Sequence, residues 1–190
     1  MSKTSVEFLA YLEEKIERNK EYADKIFEDM TEEEFNRQAL PGKWSSGQAL
    51  EHLNITNGKY LEAIEKVLED PNAKKAAATK KYKHGWFMNK FISMAGPTTK
   101  MKFKVPNKVV IPPKELNMQE TVKDYGNLNA KLKEAVTRAK GLDLRKNSLK
   151  SPLVGWLKLS LGEAFHLLTD HDTRHLQQAQ RSVEVIRRKW

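Results

Sequence analysis

Four stretches of this chain space their apolar residues three and four apart, which commits most of it to amphipathic helices that bury one face against one another. The first runs from about Thr4 to Asp29, with Phe8, Leu12, Ile16, Ala23 and Phe27 on a single stripe. The second opens at KWSSGQALEHL, where Ser45 and Gln48 form a capping-box pattern, and ends near Asp70 and Pro71. Its stripe is Leu50, Leu53, Asn57, Tyr60, Ile64 and Leu68, while His52 lies on the flank with Ala49, Thr56 and Ala63. The third, about Glu115 to Lys140, carries Met118, Val122, Tyr125, Leu128, Leu132, Ala135 and Ala139 and stops at Gly141. The fourth starts at Ser160, which makes another capping box with Glu163, and reaches about Arg188. No two-residue alternation is longer than the short run Lys102 to Val110, so the fold class is all-α, a bundle of four helices.

A chain of 190 residues, 39% of them hydrophobic, can bury one core without staples, so a single domain over residues 1–190 is expected. It has no cysteine, which excludes disulfides, thiolate metal ligands and a nucleophilic thiol of its own, and fits a reducing cytoplasm. The start, MSKTSVEFLAYLEEKIERN, becomes charged too soon for a signal peptide or spanning segment, so a soluble intracellular protein with no membrane partner is expected.

The net charge of +9 is concentrated, because residues 71–114 hold 11 lysines and no acid. This basic segment is a long crossover between the second and third helices, and such a link permits topologies other than up-down-up-down. The pattern predicts a short helix around Trp86 to Met94, with Pro97, Pro106, Pro112 and Pro113 holding the chain extended. Tyr82, Trp86, Phe87, Phe91 and Phe103 interleave with the lysines, as base stacking would need, although capping the bundle is the preferred reading. The rival functional class is therefore a non-enzymatic binding protein. It would use the basic segment and the RSVEVIRRKW terminus to meet an acidic partner or nucleic acid, of which nucleic acid is the less expected.

At 100° per residue, His175 falls about 40° from His171, within the core stripe of the fourth helix. Residues four apart have Cβ atoms ~6 Å from each other, close enough for both rings of HDTRH to meet one ion through bonds of ~2.1 Å. Histidine pairs of this spacing also arise by chance, and a buried histidine is ordinarily just hydrogen-bonded. Two neutral imidazoles in a core still need partners for their ring nitrogens, and a metal supplies them. His52 is the remaining candidate for a third ligand, since His84 sits in the basic segment and His166 falls on the opposite face. Gln178 continues the line past His175, where it is placed to orient a water or a substrate. Glu51 and Asp172 flank the candidates as conceivable supporting or base groups, though helix carboxylates are ordinarily solvated.

WSSGQALEHL followed by LSLGEAFHLLTDHDTRHLQQ resembles the DinB/YfiT-like superfamily. The resemblance implies a four-helix bundle holding a divalent metal through one histidine of the second helix and a spaced pair of the fourth, here His52, His171 and His175. Gln178 matches the glutamine that often follows the last histidine. Zn or Ni is the expected ion, although three imidazoles also suit Fe or Cu. Superfamily members with assigned activity imply a metal-dependent transferase of a low-molecular-weight thiol, such as bacillithiol or mycothiol, acting on an electrophilic small molecule, or a related isomerase. Three neutral ligands leave the ion's charge uncompensated, so a thiol brought to it is held as the nucleophile that the protein lacks. Hydrolysis at the same site is the alternative. The basic segment would attract the thiol's carboxylates, and a homodimer is compatible with exposed aromatics.

Overall fold

Side-chain caps start every long helix. Thr4 opens α1 (Ser5–Phe27): its hydroxyl accepts from the Glu7 N–H at 3.2 Å, and the Glu7 carboxylate accepts the Thr4 N–H at 2.8 Å. The same reciprocal pair starts α2 (Glu32–Asn36) with Thr31 and Glu34, α3 (Ser46–Leu68) with Ser45 and Gln48, and α5 (Leu161–Arg187) with Ser160 and Glu163. Asn117 caps α4 (Met118–Arg138), and beyond its end Gly141 takes a φ of 85°, in the left-handed region that favours glycine. The computed structural model describes residues 3–83, 85 and 110–188.

Helix directions follow from the bonds between them. Asn129 donates to the Ile16 carbonyl and Thr137 to the Glu13 carboxylate, so α1 and α4 are antiparallel. Asn19 donates to the Thr169 carbonyl and Arg187 to the Asp29 carbonyl, so α1 and α5 run the same way. Asn54 donates to the Thr121 carbonyl and Arg138 to the Glu65 carboxylate, so α3 and α4 are parallel as well. Both α1 and α3 pack against α4 and α5, which places α1 and α3 on one diagonal of the bundle. A parallel neighbour cannot be reached by a tight turn. The chain leaving α3 has to travel back about 35 Å before α4 can begin, and residues 69–117 make that link. The helix expected around Trp86 to Met94, His84, and nearly all of the run from Lys102 to Val110 lie outside the described residues.

Two apolar clusters fill the bundle. One gathers Phe8, Leu12, Ile64, Leu132, Leu144 and Phe165, and the other Phe27, Phe35, Leu50, Leu53, Tyr125 and Leu176. Tyr82 belongs to the first, its ring stacked on Phe8 at 4.5 Å, so this aromatic of the basic segment does cap the core. No helix of the described residues is long and apolar enough to cross a membrane.

Two elements were not expected. The single turn α2 plugs one end with the fully buried Phe35, edge-on to Phe27 at 5.6 Å. Near the other end, β1 (Ser148–Lys150) pairs antiparallel with β2 (Lys158–Ser160), and the opposed Leu149 and Leu159 are buried. A three-residue strand offers one alternation and a five-residue helix one turn, too little for a periodic signal.

Glycines in α3 give a stability test. A Cβ at Gly47 would run into the Phe35 ring, whereas one at Gly58 meets nothing within 4 Å. Urea denaturation should show Gly47→Ala losing about 1–3 kcal/mol and Gly58→Ala gaining roughly 0.5–1 kcal/mol.

Candidate metal centre

Position 52 lies in the second turn of α3, and positions 171 and 175 stand one turn apart on α5, so the α3–α5 contact brings the three rings together. Their centroids are 5.1 Å apart for His52 and His171, 4.6 Å for His52 and His175, and 4.5 Å for His171 and His175. Each offers one ring nitrogen, and the three nitrogens lie within 4.8 Å of one another. Nitrogens bound to one ion at ~2.1 Å in a tetrahedral arrangement are roughly 3.4 Å apart, and the Nε2 atoms of His52 and His171 already stand at 3.3 Å.

The Val110 carbonyl, 2.9 Å from His52 Nδ1, can only accept, so the neutral ring carries its proton on Nδ1 and turns the Nε2 lone pair toward His171. Trp44 leans on the His52 ring at 4.9 Å and the His175 ring at 6.0 Å. The His175 ring also hydrogen-bonds the Gln178 side chain. Nδ1 of His171 and Nδ1 of His175 are buried without a hydrogen-bond partner. The convergence of three ring nitrogens, with imidazoles as the only donors in the cluster among the described residues, fits a divalent transition metal.

Burial lowers the pKa of all three histidines. It does so for His52 although the Val110 carbonyl acts in the opposite sense. For His171 the value lies well below the ordinary one, through burial first and then the charges of His175, His52 and Arg174. His175 is brought to about 3 by burial, with His52 and Arg174 adding to it. All three rings are therefore neutral at pH 7, with lone pairs free for an electrophile.

Asp172 departs from the solvated role expected of it: it is only 1% exposed. Asn57 Nδ2 donates to its two oxygens at 3.0 and 3.2 Å, and the Tyr125 hydroxyl donates at 3.3 Å. Burial raises its pKa to about 7, against these donors. Its carboxyl is thus engaged by Asn57 and Tyr125 and does not join the three-ring cluster, although the next residue back is His171. Glu51 is bonded by Asn54 at 3.0 Å, and among the described residues no carboxylate joins the histidine cluster. His166 lies half-buried against Phe8 and Tyr11 of α1, 3.5 Å from Asp170, so the face opposite the stripe is the α1 contact.

The reading from sequence thus anticipated the three histidines and Gln178 as neighbours but missed Val110, Trp44 and the Asn57–Tyr125–Asp172 network. A signal for the network was present, since Asn57 and Tyr125 are polar residues on otherwise apolar stripes of neighbouring helices.

In comparison with known proteins, the family model described as the DinB superfamily matches residues 15–179. No curated protein matches the chain. Among solved structures, it is similar to YfiT from Bacillus subtilis, described as a probable metal-dependent hydrolase with an unusual four-helix bundle topology. That likeness has a TM-score of 0.58 at 14% identity, covers 95% of this chain and 87% of the other, and is one of fold.

The raised pKa of Asp172 has a sign that can be tested. The folded state keeps this proton up to about pH 7, whereas the unfolded chain releases it near 4, so the stabilisation is complete below 4 and lost as pH rises through 7. Asp172→Asn removes that slope. Urea unfolding with chelator present should show the variant gaining on the parent between pH 5 and 8, by on the order of 3 kcal/mol.

Proposed function

The chain belongs to the DinB superfamily, and on that premise we propose that it is a divalent-metal-dependent enzyme that transfers a low-molecular-weight thiol, such as bacillithiol, to an electrophilic small molecule. The observation that carries this reading is a cluster of three neutral imidazoles that no carboxylate of the described residues joins. His52, His171 and His175 would hold the ion, with Zn or Ni the best fit to the donor set. Bound there, the ion supplies Lewis acidity that favours the anionic form of a thiol at neutral pH.

Every other part of the task falls to the chain. The Val110 carbonyl fixes the His52 tautomer, and Trp44 limits how far the His52 and His175 rings can turn. Gln178 bonds the His175 ring and lies one turn further along α5, and in this reading it would orient a water or a substrate. The charge of Arg174, felt by both His171 and His175, suits a thiol that carries carboxylates. With no cysteine in the chain, the sulfur nucleophile has to come from the cofactor.

Hydrolysis is the second reading, favoured by the likeness in fold to YfiT, the probable metal-dependent hydrolase. It needs a group to take a proton from water. Asn57 and Tyr125 engage the Asp172 carboxyl, and Glu51 is engaged by Asn54.

Full-length chain purified without an affinity tag should carry about one metal ion per chain by elemental analysis, as a single three-histidine site requires. The double variant His171→Ala, His175→Ala should carry almost none while keeping its helical circular dichroism; full stoichiometry in that variant would remove the site. Thiol consumption with bacillithiol and an electrophilic acceptor should require the metal and vanish in the same variant. Metal-dependent release of acid from esters without thiol would select hydrolysis instead.

Protons compete poorly for these rings. Because burial lowers all three pKa values, the ion should stay bound on dialysis at about pH 5.5, where exposed histidines of pKa ~6.5 are mostly protonated.

A further inference from the structure

The β1–β2 hairpin stands apart from the metal centre in charge and in exposure. Residues 144–160 contain Arg145, Lys146, Lys150 and Lys158 and no acid. Asp143, just before them, is engaged by Lys80 at 2.6 Å. Lys74 and Lys75 are brought to the same end, because the Asp143 N–H donates to the Lys74 carbonyl and Lys75 bridges Leu142. Lys150 lies directly opposite Lys158 across the two strands. Like charges in that position are destabilising. Leu149 and Leu159 point into the core, so the alternation of the strands turns both lysines outward.

Beyond the lysines the apex is apolar. Trp156 is 76% exposed, more than any other large hydrophobic residue among those described. It is not held on a slack loop. The Ser151 N–H donates to the Leu157 carbonyl and the Leu157 N–H to the Val154 carbonyl, each at 2.8 Å. Ser151 Oγ bonds Tyr60 of α3 at 2.7 Å, and Leu153 and Val154 rest on the core cluster. The loop, held by these bonds, thus leaves the Trp156 indole in water, next to a strand pair that turns Lys150 and Lys158 outward.

We propose that this hairpin is a docking tip for a bilayer surface rich in anionic phospholipid. Tryptophan partitions to the headgroup level of a membrane, and lysines near it meet the lipid phosphates. Such peripheral docking needs no spanning segment, and it departs from the expectation of no membrane partner. A second copy is a poorer occupant, because an isologous contact through the tip would set Lys150 and Lys158 against the same lysines. Single-stranded nucleic acid is poorer too, since it wants a row of aromatics among the cations, and the described hairpin presents one exposed indole.

Co-sedimentation of the full chain with vesicles tests this. Binding is expected to vesicles of phosphatidylcholine and phosphatidylglycerol in equal parts, to fall with salt, and to be absent with phosphatidylcholine alone. Trp156→Ala should weaken it roughly tenfold, and Lys150→Glu with Lys158→Glu by more than about 30-fold. If the double reversal disturbs folding by circular dichroism, Lys150→Gln with Lys158→Gln should still weaken binding about tenfold or more. Metal content should be unchanged in each variant, which separates this proposal from the reading of the histidine centre. No binding to the anionic vesicles, equal binding to neutral ones, or an unaffected Trp156→Ala would overturn it. So would a dimer in sedimentation velocity that Trp156→Ala dissolves, or Trp156-dependent binding of polyuridylate without vesicle binding.

Discussion

The carboxyl of Asp172, buried with no cation of the described residues against it, is the constraint on which the centre of the bundle depends. A carboxyl withdrawn from water has to be hydrogen-bonded, and here the donors come from Asn57 on α3 and Tyr125 on α4. Those bonds exist at one register of the three helices. Sliding α5 by a turn would break both and leave the carboxyl bare. Since His171 precedes Asp172, the register that satisfies the carboxyl also sets the level at which His171 and His175 meet His52.

Topology and site are coupled in a second way. Because α3 and α4 are parallel, the link between them must return toward the start of α3. Its last part crosses the N-terminal half of that helix, where the Val110 carbonyl accepts from His52 and the Pro113 carbonyl accepts from Gln48 at 3.0 Å. Gln48 also accepts the Ser45 N–H in the cap of α3. One returning strand of chain thus secures a helix start and fixes a histidine tautomer, so the long crossover is part of the site's construction.

The faces of α5 divide the labour. One side carries Asp172 toward α3 and α4, the next carries His171 and His175 toward His52, and a third sets His166 and Asp170 against α1, where Lys15 reaches Asp170. The centre itself is neutral in its ligands, while Lys74, Lys75, Lys150 and Lys158 lie at the hairpin end. Charge as a bulk property of the chain therefore says little about the chemistry of the histidines. The lack of cysteine says more, because it leaves the chain without a thiol nucleophile of its own.

The four long helices, two of their capping boxes and the HDTRH pair were legible by reading along the chain. These features depend on residues three or four apart, and local periodicity and caps are contained within that span. The hairpin and α2 were not legible, because each is too short to repeat. Asp172 was misjudged for a different reason: a helical wheel shows which residues share a face, not which neighbouring helix covers it. Reading along the chain gave amphipathic helices, with the HDTRH imidazoles on the core stripe of the last and His52 on the flank of the second. What tertiary structure alone decided was the convergence of those imidazoles, the tautomer of His52 and the burial of Asp172. The partners responsible lie 119, 58 and 115 residues away along the chain, and no local rule reaches that far.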